Sequence, residues 1–401
     1  MLADDVITGL PFLKVEEVRR GHGFEVICRL EKRACCPRCG GEQLRLKDKK
    51  LRSIKGITHG NVRSDLLVLV SKYRCQLCGR TFWQEIPGVR KYSRTSQPLK
   101  EELFAKHIQG ISQKQLAEDL AMGSASCERY VQEMFSLKYR ERLGTPAPRV
   151  LGIDEHHFGR GQSFVTTLCD LRKHKVYDIL PGKAESALQD HLERIPDRSR
   201  VKIVVMDLSS SYRSLVQRYF PTALIVSDRF HVIRLLLRAF SMICQRIDPS
   251  LKWQQRGLPK LMLKNQPSLT QEQRHRLQAY FKKQAAIHQL YLFKEEAKRF
   301  LMTRNKSRKA LQKEGVIGFF LKLVAQLKAS GFDLFRTLGK TLQTWQEEIL
   351  RMFVFPYSNG ITEGFHRKMK LIQRRAYGFR NFENYRLRVI VLCGHLPQAG
   401  L

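Results

Sequence analysis

Val150-Leu-Gly-Ile-Asp-Glu155 opens the most informative stretch of this 401-residue chain. It is a short apolar run ending at an acid, and two more runs, Phe164 to Cys169 and Lys175 to Leu180, follow across tight polar turns. Three such segments predict an antiparallel meander. Glu185 to Ile195 then has the spacing of an amphipathic helix, and Val201 to Met206 is an apolar strand ending at Asp207. Ser210 to Phe220 is helical again, and Ala223 to Val226 is a last short strand. The order is three strands, helix, strand, helix, strand, helix. Apolar strands alternating with helices predict a mixed sheet with helices on both faces.

This succession is similar to the ribonuclease H fold, in which the first and fourth strands are neighbours at the centre. The resemblance implies that Asp154 and Asp207 stand side by side. From Arg238 to Phe353 the strand signals stop and helical patterns take over, which predicts an all-helical insertion; its Trp253 and Trp345 are read as core. The chain returns with Ser358-Asn-Gly-Ile-Thr-Glu363-Gly-Phe-His-Arg-Lys-Met-Lys-Leu371, where Ile361, Phe365 and Met369 recur four apart on a helix whose only carboxylate is Glu363. Arg367, Lys368, Lys370, Arg374, Arg375 and Arg380 follow, with the aromatic residues Tyr377, Phe379, Phe382 and Tyr385, a mixture suited to gripping a phosphate backbone. An acid in that setting either draws a divalent metal beside phosphate or pairs with a neighbouring arginine.

Composition names the partner class. Lys and Arg total 72 against 37 Asp and Glu, a formal net charge of +35 spread along the chain, so nucleic acid is the expected partner. No apolar run approaches the roughly 20 residues of a spanning helix, and no signal-peptide pattern opens the sequence. The expectation is a soluble cytoplasmic protein without a membrane partner.

The ten cysteines do not read as disulfides. Cys36-Pro-Arg-Cys39 follows an alternating strand pattern from Phe24 to Leu30, and Cys75-Gln-Leu-Cys78 completes the set, with Val62 to Val70 a candidate strand partner between them. Two such knuckles supply the four thiolates of a structural Zn2+ site, as in zinc ribbons; Cys35 competes with Cys36, but only Cys36 gives the two-residue spacer. Leu99 to Gln109 is a helical pattern, and Ser112-Gln-Lys-Gln115 opens another. A helix-turn-helix is expected, with helices from Gln113 to Leu120 and from about Ser124 to Phe135, offering Ser124, Ser126, Glu128 and Arg129 to a DNA groove. Leu143-Gly-Thr-Pro-Ala-Pro148 reads as a linker.

Two aspartates on adjacent strands and a glutamate on a packing helix can hold two hard cations, Mg2+ or Mn2+, through oxygen ligands. Two such metals about 3.5 to 4 Å apart clamp the attacking and leaving oxygens of a phosphoryl displacement. Gly152-Ile-Asp154-Glu155, Asp207 with Ser211-Tyr212, Ser227-Asp228-Arg229-Phe230-His231, Ser358-Asn-Gly with Glu363-Gly364, and Tyr377-Gly-Phe-Arg-Asn-Phe382 together resemble the bacterial insertion-sequence transposases of the ISL-three family over nearly the full chain. The resemblance implies Asp154, Asp207 and Glu363 as a catalytic DDE triad. This chain departs from the family pattern at Phe365-His366, where an amide-rich pair is common, and at Leu208, where a charged or polar residue is common. Asp228 is read mainly as a helix cap, with a secondary candidacy as metal ligand; His231 is read slightly in favour of packing. The double histidine His156-His157 lacks the four-residue helical spacing of a metal pair.

The expected architecture is thus α+β and multidomain: a zinc ribbon (1–95), a helix-turn-helix (96–145), a ribonuclease H-like mixed-sheet catalytic domain (146–240 and 353–401) and an all-helical insertion (241–352). The expected activity is that of a DNA transposase binding the terminal inverted repeats of an insertion sequence, then cleaving and transferring strands into target DNA. A homo-oligomer is expected, because two ends must be synapsed. A catalytically silent DNA-binding regulator and a ribonuclease H-like nuclease are the alternatives.

Overall fold

The computed structural model describes residues 2–20, 23–60, 62–159, 163–251, 257–303 and 315–394. Trp253 lies outside them. The fold is mixed α/β, with two mixed sheets and fifteen α-helices among the described residues. Its contacts divide into two compact units, residues 1–141 and 142–401.

In the first unit, helix α1 (Leu2–Thr8) precedes strands β1 (Leu13–Arg20), β2 (Phe24–Leu30), β3 (Leu44–His59), β4 (Val62–Cys75) and β5 (Thr81–Trp83). The sheet order is β1-β2-β4-β3, with β5 also on β4. β2 and β4 run parallel, Phe24 opposite Ser64 through Arg29 opposite Leu69. β4 is a strand because its apolar residues alternate: Leu66, Val68 and Val70 are buried and meet Val26, Cys28, Ile54 and Ile86 in one core. β1 and β3 were not expected. Residues 45–51 of β3 are exposed on both faces, so β3 shows no alternation to read, and only its pairing with β4 makes it a strand.

Three helices complete the unit: α2 (Gln97–Gln109), α3 (Gln113–Asp119) and α4 (Ser124–Arg140). The Ser96 and Ser112 hydroxyls accept the backbone N–H groups of Leu99 and Gln115, capping α2 and α3. Leu103, Phe104, Leu116, Val131 and Phe135 form the buried seam, with Phe104 and Phe135 edge to face at 4.9 Å. α4 continues past Phe135 to Arg140 because Val131, Met134 and Phe135 keep one face of it packed.

The second unit holds strands β6 (Val150–Phe158), β7 (Ser163–Asp170), β8 (Lys175–Pro181), β9 (Ile203–Met206) and β10 (Leu224–Ser227) in the order β10-β9-β6-β7-β8. β6 pairs in parallel with β9 and antiparallel with β7. Helices α5 (Glu185–Glu193), α6 (Ser210–Tyr219) and α7 (Arg229–Ile247) intervene and follow. β6 does not stop at Asp154. It runs four residues further, because Glu155 to Phe158 continue the ladder with β7.

After α7 come α8 (Leu258–Leu263), α9 (Gln271–Lys283), α10 (Ala285–Met302), α11 (Val316–Ala329), α12 (Asp333–Thr344) and α13 (Gln346–Val354), then α14 (Gly360–Arg375) and α15 (Phe382–Cys393). No strand occurs among the described residues between β10 and α14. These helices share the sheet's core: Leu301, Phe320, Leu323, Leu342, Trp345 and Phe353 are buried in one cluster with Val204, Val205, Met206 and Val226. A satellite core around Met262, Phe281 and Tyr291 lies on Phe240 and Cys244 of α7. Arg229, the second residue of Asp228-Arg-Phe-His231, donates to the carbonyls of Leu301, Thr303 and Met352, tying the start of α7 to the ends of α10 and α13.

Candidate active site

Parallel pairing of β6 with β9 puts Gly152 beside Val205, so Asp154, within β6, lies next to Asp207, just past the end of β9. One ligand atom each from Asp154, Asp207 and His231 lies within 4.8 Å of the other two. His231, on the first turn of α7, sets Nδ1 2.6 Å from Asp207 Oδ2, and Asp228 Oδ2 lies 3.7 Å from its Nε2. Burial lowers the imidazole's affinity for a proton, but the hydrogen bond and charge of Asp207, with Asp228 behind, hold it above its usual value. The carboxylates respond in kind. Burial and the charge of Asp207 push Asp154 up to about 7, and burial raises Asp228 as well.

Asp228 stands at the cap position of α7, yet Oδ1 of its carboxylate accepts the Asn359 N–H at 3.1 Å. The Asn359 side chain also donates to the Ile153 carbonyl at 2.9 Å. Asn359, in the Ser-Asn-Gly turn before α14, thus ties the end of β10 to the residue before Asp154. Gly152 allows this approach: a Cβ there would lie 2.8 Å from both Asn359 Oδ1 and Leu171 Cδ2.

Glu363 is placed differently. It lies on the first turn of α14, 58% exposed, with Oε1 held 3.2 Å from Arg367, and it is not among the three grouped ligands. One turn on, His366 occupies the inner side, with Nδ1 3.8 Å from Asp154 Oδ2 and Nε2 3.1 Å from Thr167 Oγ1. Thr167 also meets His156 Nδ1 at 3.0 Å, and His156 Nε2 meets the Tyr385 hydroxyl at 2.9 Å. Burial, His366 and Lys370 push His156 down to about 3, and burial with Lys370 pushes His366 down to about 4, so both are neutral in the folded chain. His157, on the opposite face of β6, stacks on Phe164 instead. The apolar stripe of α14 is narrower than its spacing suggests: Thr362, Met369 and Ile372 are buried, and Ile361 and Phe365 only half-buried.

Two carboxylates and an imidazole are a mixed oxygen and nitrogen donor set that suits a divalent cation. Asp207 Oδ1 is buried without a hydrogen-bond partner, an atom whose desolvation a cation would offset. The residues fit a metal.

In the first unit the thiols of Cys36, Cys39, Cys75 and Cys78 converge, with Sγ separations of 3.5 Å (Cys36 to Cys78) and 3.6 Å (Cys39 to Cys75). Four sulfurs around zinc at about 2.3 Å stand roughly 3.8 Å apart, close to these spacings. Each knuckle is closed by backbone bonds, Gly40 N–H to Cys36 and Gly79 N–H to Cys75, with both glycines at positive φ. Burial opposes the Cys36 thiolate, but the N–H groups of Arg38 and Cys39 stabilise it and hold the thiol near 6. Cys35 is exposed and outside the cluster.

Of the DNA-contact candidates, Ser124 and Arg129 are exposed at the start of α4 and Ser126 is half-buried, 3.5 Å from the Arg129 guanidinium. Arg367, Lys368, Lys370, Arg374, Arg375 and Arg380 are all exposed, with Lys368 donating to the Leu392 carbonyl at 2.6 Å. The four aromatics after α14 do not act together: Tyr385 is core, Phe379 and Phe382 pack against it, and only Tyr377 is free, 95% exposed. Sequence reasoning named Asn359 within a motif and His366 as a departure from the family pattern, but it did not foresee their contacts, which lie more than 130 positions away in the chain. A basic groove of about 1480 Å3 in the first unit was equally unread. It is lined by ten Lys and Arg, among them Lys50, Arg52, Arg80 and Arg94, against three acids, Glu25, Asp65 and Glu85.

Comparison with known proteins agrees with this chemistry. A family described as "Transposase" matches residues 151–389. The transposase for insertion sequence element IS1001 of Bordetella parapertussis is 23% identical over 370 aligned positions, covering 88% of this chain and 87% of that protein. The transposase for insertion sequence element IS1557 of Mycobacterium tuberculosis is 20% identical across 99% of this chain and 95% of its own length. An ATP-dependent protease of Lactococcus lactis matches at 34% over 61 positions, 15% of this chain, too small a share to bear on the family. With a match across more than half its length and curated relatives that span it, the chain belongs to the ISL-three family of insertion-sequence transposases.

Proposed function

We propose that this chain binds the terminal inverted repeats of an insertion sequence and carries out divalent-metal-dependent DNA strand cleavage and strand transfer with Asp154, Asp207 and Glu363. The observation that carries the reading is the partly buried, mutually repelling Asp154–Asp207 pair with its orphaned Asp207 Oδ1. A binding protein without chemistry has no use for carboxylates held together at a desolvation cost. Mg2+ or Mn2+, when bound, would turn water or a 3′-hydroxyl into a nucleophile and offset charge on the leaving oxygen.

The chain's own residues arrange this. Asp154 and Asp207 would hold the cation from adjacent strands, and His231 orients Asp207 by donating to it, with Asp228 as its second partner. Asn359 fixes the backbone at Ile153, so the Asp154 carboxylate keeps its position. Glu363, now paired with Arg367, would be the third carboxylate available to the cation once DNA phosphate engages Arg367. The closed four-thiolate site of Cys36, Cys39, Cys75 and Cys78 holds structural Zn2+.

In this reading 1–95 is a zinc ribbon and 96–145 a helix-turn-helix reading the repeats through Ser124, Ser126 and Arg129. Residues 146–240 and 353–401 form a ribonuclease H-like catalytic domain around the helical insertion 241–352. The basic face of α14 and the groove of the first unit contact the DNA backbone, and protomers pair when two ends are synapsed.

The test is cleavage and joining of a labelled duplex carrying the gene's own flanking DNA with Mg2+ or Mn2+. Wild type yields joined products, whereas Asp154→Asn, Asp207→Asn and Glu363→Gln each lose at least about a thousandfold in rate yet bind the duplex nearly as wild type does. Cutting without joining would identify a nuclease. Binding without cutting by the wild type would identify a silent regulator.

A further inference from the structure

The exposed face of α14 carries more order than a basic helix needs. Glu363, Arg367, Lys370 and Arg374 follow one another at spacings of four, three and four, the repeat that keeps side chains on one side of an α-helix, and Tyr377 stands just past the end of that helix. All five are exposed. Among the described residues no carboxylate pairs with Lys370, Arg374 or the flanking Arg375 and Arg380. The row thus begins at a candidate catalytic acid, passes three cations, and ends at an aromatic ring.

That ring is held out deliberately. The helix closes with Ala376 N–H to the Ile372 carbonyl, Tyr377 N–H to Arg374 and Gly378 N–H to Gln373, and this closure puts Tyr377 at φ 53. Glycine or asparagine is the usual residue at a left-handed helix end, and a bulky one is strained there. Packing does not compensate, since Tyr377 is 95% exposed and has no ring contact among the described residues. Its neighbours are anchored instead: Phe379 lies on Tyr385, and the Asn381 side chain caps α15. A solvent-facing aromatic on a strained, hydrogen-bonded backbone turn, among arginines that pair with no described carboxylate, has the form of a platform for a nucleic-acid base.

We infer that Tyr377 stacks on a base of the element-end DNA, whose backbone runs from Glu363 along Arg367, Lys370 and Arg374. The inference rests on the catalytic reading above and adds a contact and a register to it. Twelve residues at 1.5 Å carry α14 roughly 18 Å from Glu363 to Arg375, and Tyr377 stands just beyond its end, which makes about six base steps at 3.4 Å. The stacked base therefore lies about six positions from the cut bond and is locally unstacked from its neighbour.

The test uses the full chain and the same flanking-DNA duplex, with 2-aminopurine placed singly at positions three to nine from the bond cut in the cleavage assay. Fluorescence is read without added metal, so that the duplex stays intact. Wild type and Tyr377→Phe are expected to change the signal near the sixth position. Tyr377→Ala abolishes that change and lowers affinity by about 5- to 150-fold, with an unaltered melting temperature because the ring packs against nothing. Arg374→Gln weakens binding to every duplex alike and reduces the salt slope by about one. A silent probe at all positions, with wild-type affinity in Tyr377→Ala, overturns the stacking; if wild type still cleaves, the catalytic reading stands. Wild type that neither binds nor cleaves overturns both.

Discussion

At the scale of single residues, the site depends on two positions outside the candidate ligand set. Gly152 makes room for Asn359, and Asn359 links Ile153 to Asp228. Gly152→Ala therefore sets a methyl against Asn359 Oδ1 and Leu171, and the expected loss is about 1 to 3 kcal/mol, read from urea denaturation. An unchanged midpoint would mean that this contact yields freely. Asp154 gives a pH prediction. Its folded value of about 7 lies above the ordinary carboxylate value, so the folded chain binds the extra proton and the associated stability is fully present below about pH 4 and lost as pH rises through about 7. A cation must displace that proton, so metal affinity has the opposite trend and falls below about pH 7. The rise in melting temperature caused by Mn2+ should be larger at pH 8 than at pH 6; equal rises would exclude Asp154 as a ligand. His366 shows what one residue type conceals. The two residues after it, Arg367 and Lys368, are exposed cations, yet the side chain turns inward to Asp154 and Thr167, which the facing of α14 alone determines.

At the scale of elements, the strands that were legible are those with one wet and one dry face or none wet. β2, β4 and the apolar β9 and β10 belong to this group, because alternation or continuous burial leaves a period in the sequence. β3 left none. Its charged residues face solvent on both sides, and its strand character comes from thirteen partners along β4, including Leu44 opposite Cys75. The same pairing brings the second knuckle beside the first, so zinc and sheet support each other. Cys36→Ser or Cys78→Ser should abolish zinc binding, measured by metal analysis, and expose residues 30–80 to protease, while the Mn2+-induced thermal shift of the second unit persists. Retention of one zinc per chain in both variants would show that these thiols are not the ligands.

At the scale of the whole molecule, the contacts group into 1–141 and 142–401, and the carboxylate cluster draws all its members from the second group. Residues 142–401 expressed alone should keep the Mn2+ response while losing preference for the element's end over unrelated DNA, measured by competition binding. A fragment that still discriminates would move sequence reading to α14 and its surroundings. No helix among the described residues is long and apolar enough to cross a membrane. The sequence by itself determined the chemistry: cysteine spacing, net charge, and acids at the ends of apolar runs are local patterns that need no tertiary contact to be read. Tertiary structure brings Asp154 and Asp207 together, as the resemblance implied, and it alone decided that His231 rather than Glu363 joins them. Parallel pairing of β6 with β9 joins Asp154 to Asp207 across more than fifty residues, and α7 delivers His231 to them, while Glu363 turns outward to Arg367. The reason is physical: a carboxylate's role depends on burial and on the charges around it, and both are set by side chains far away in the chain.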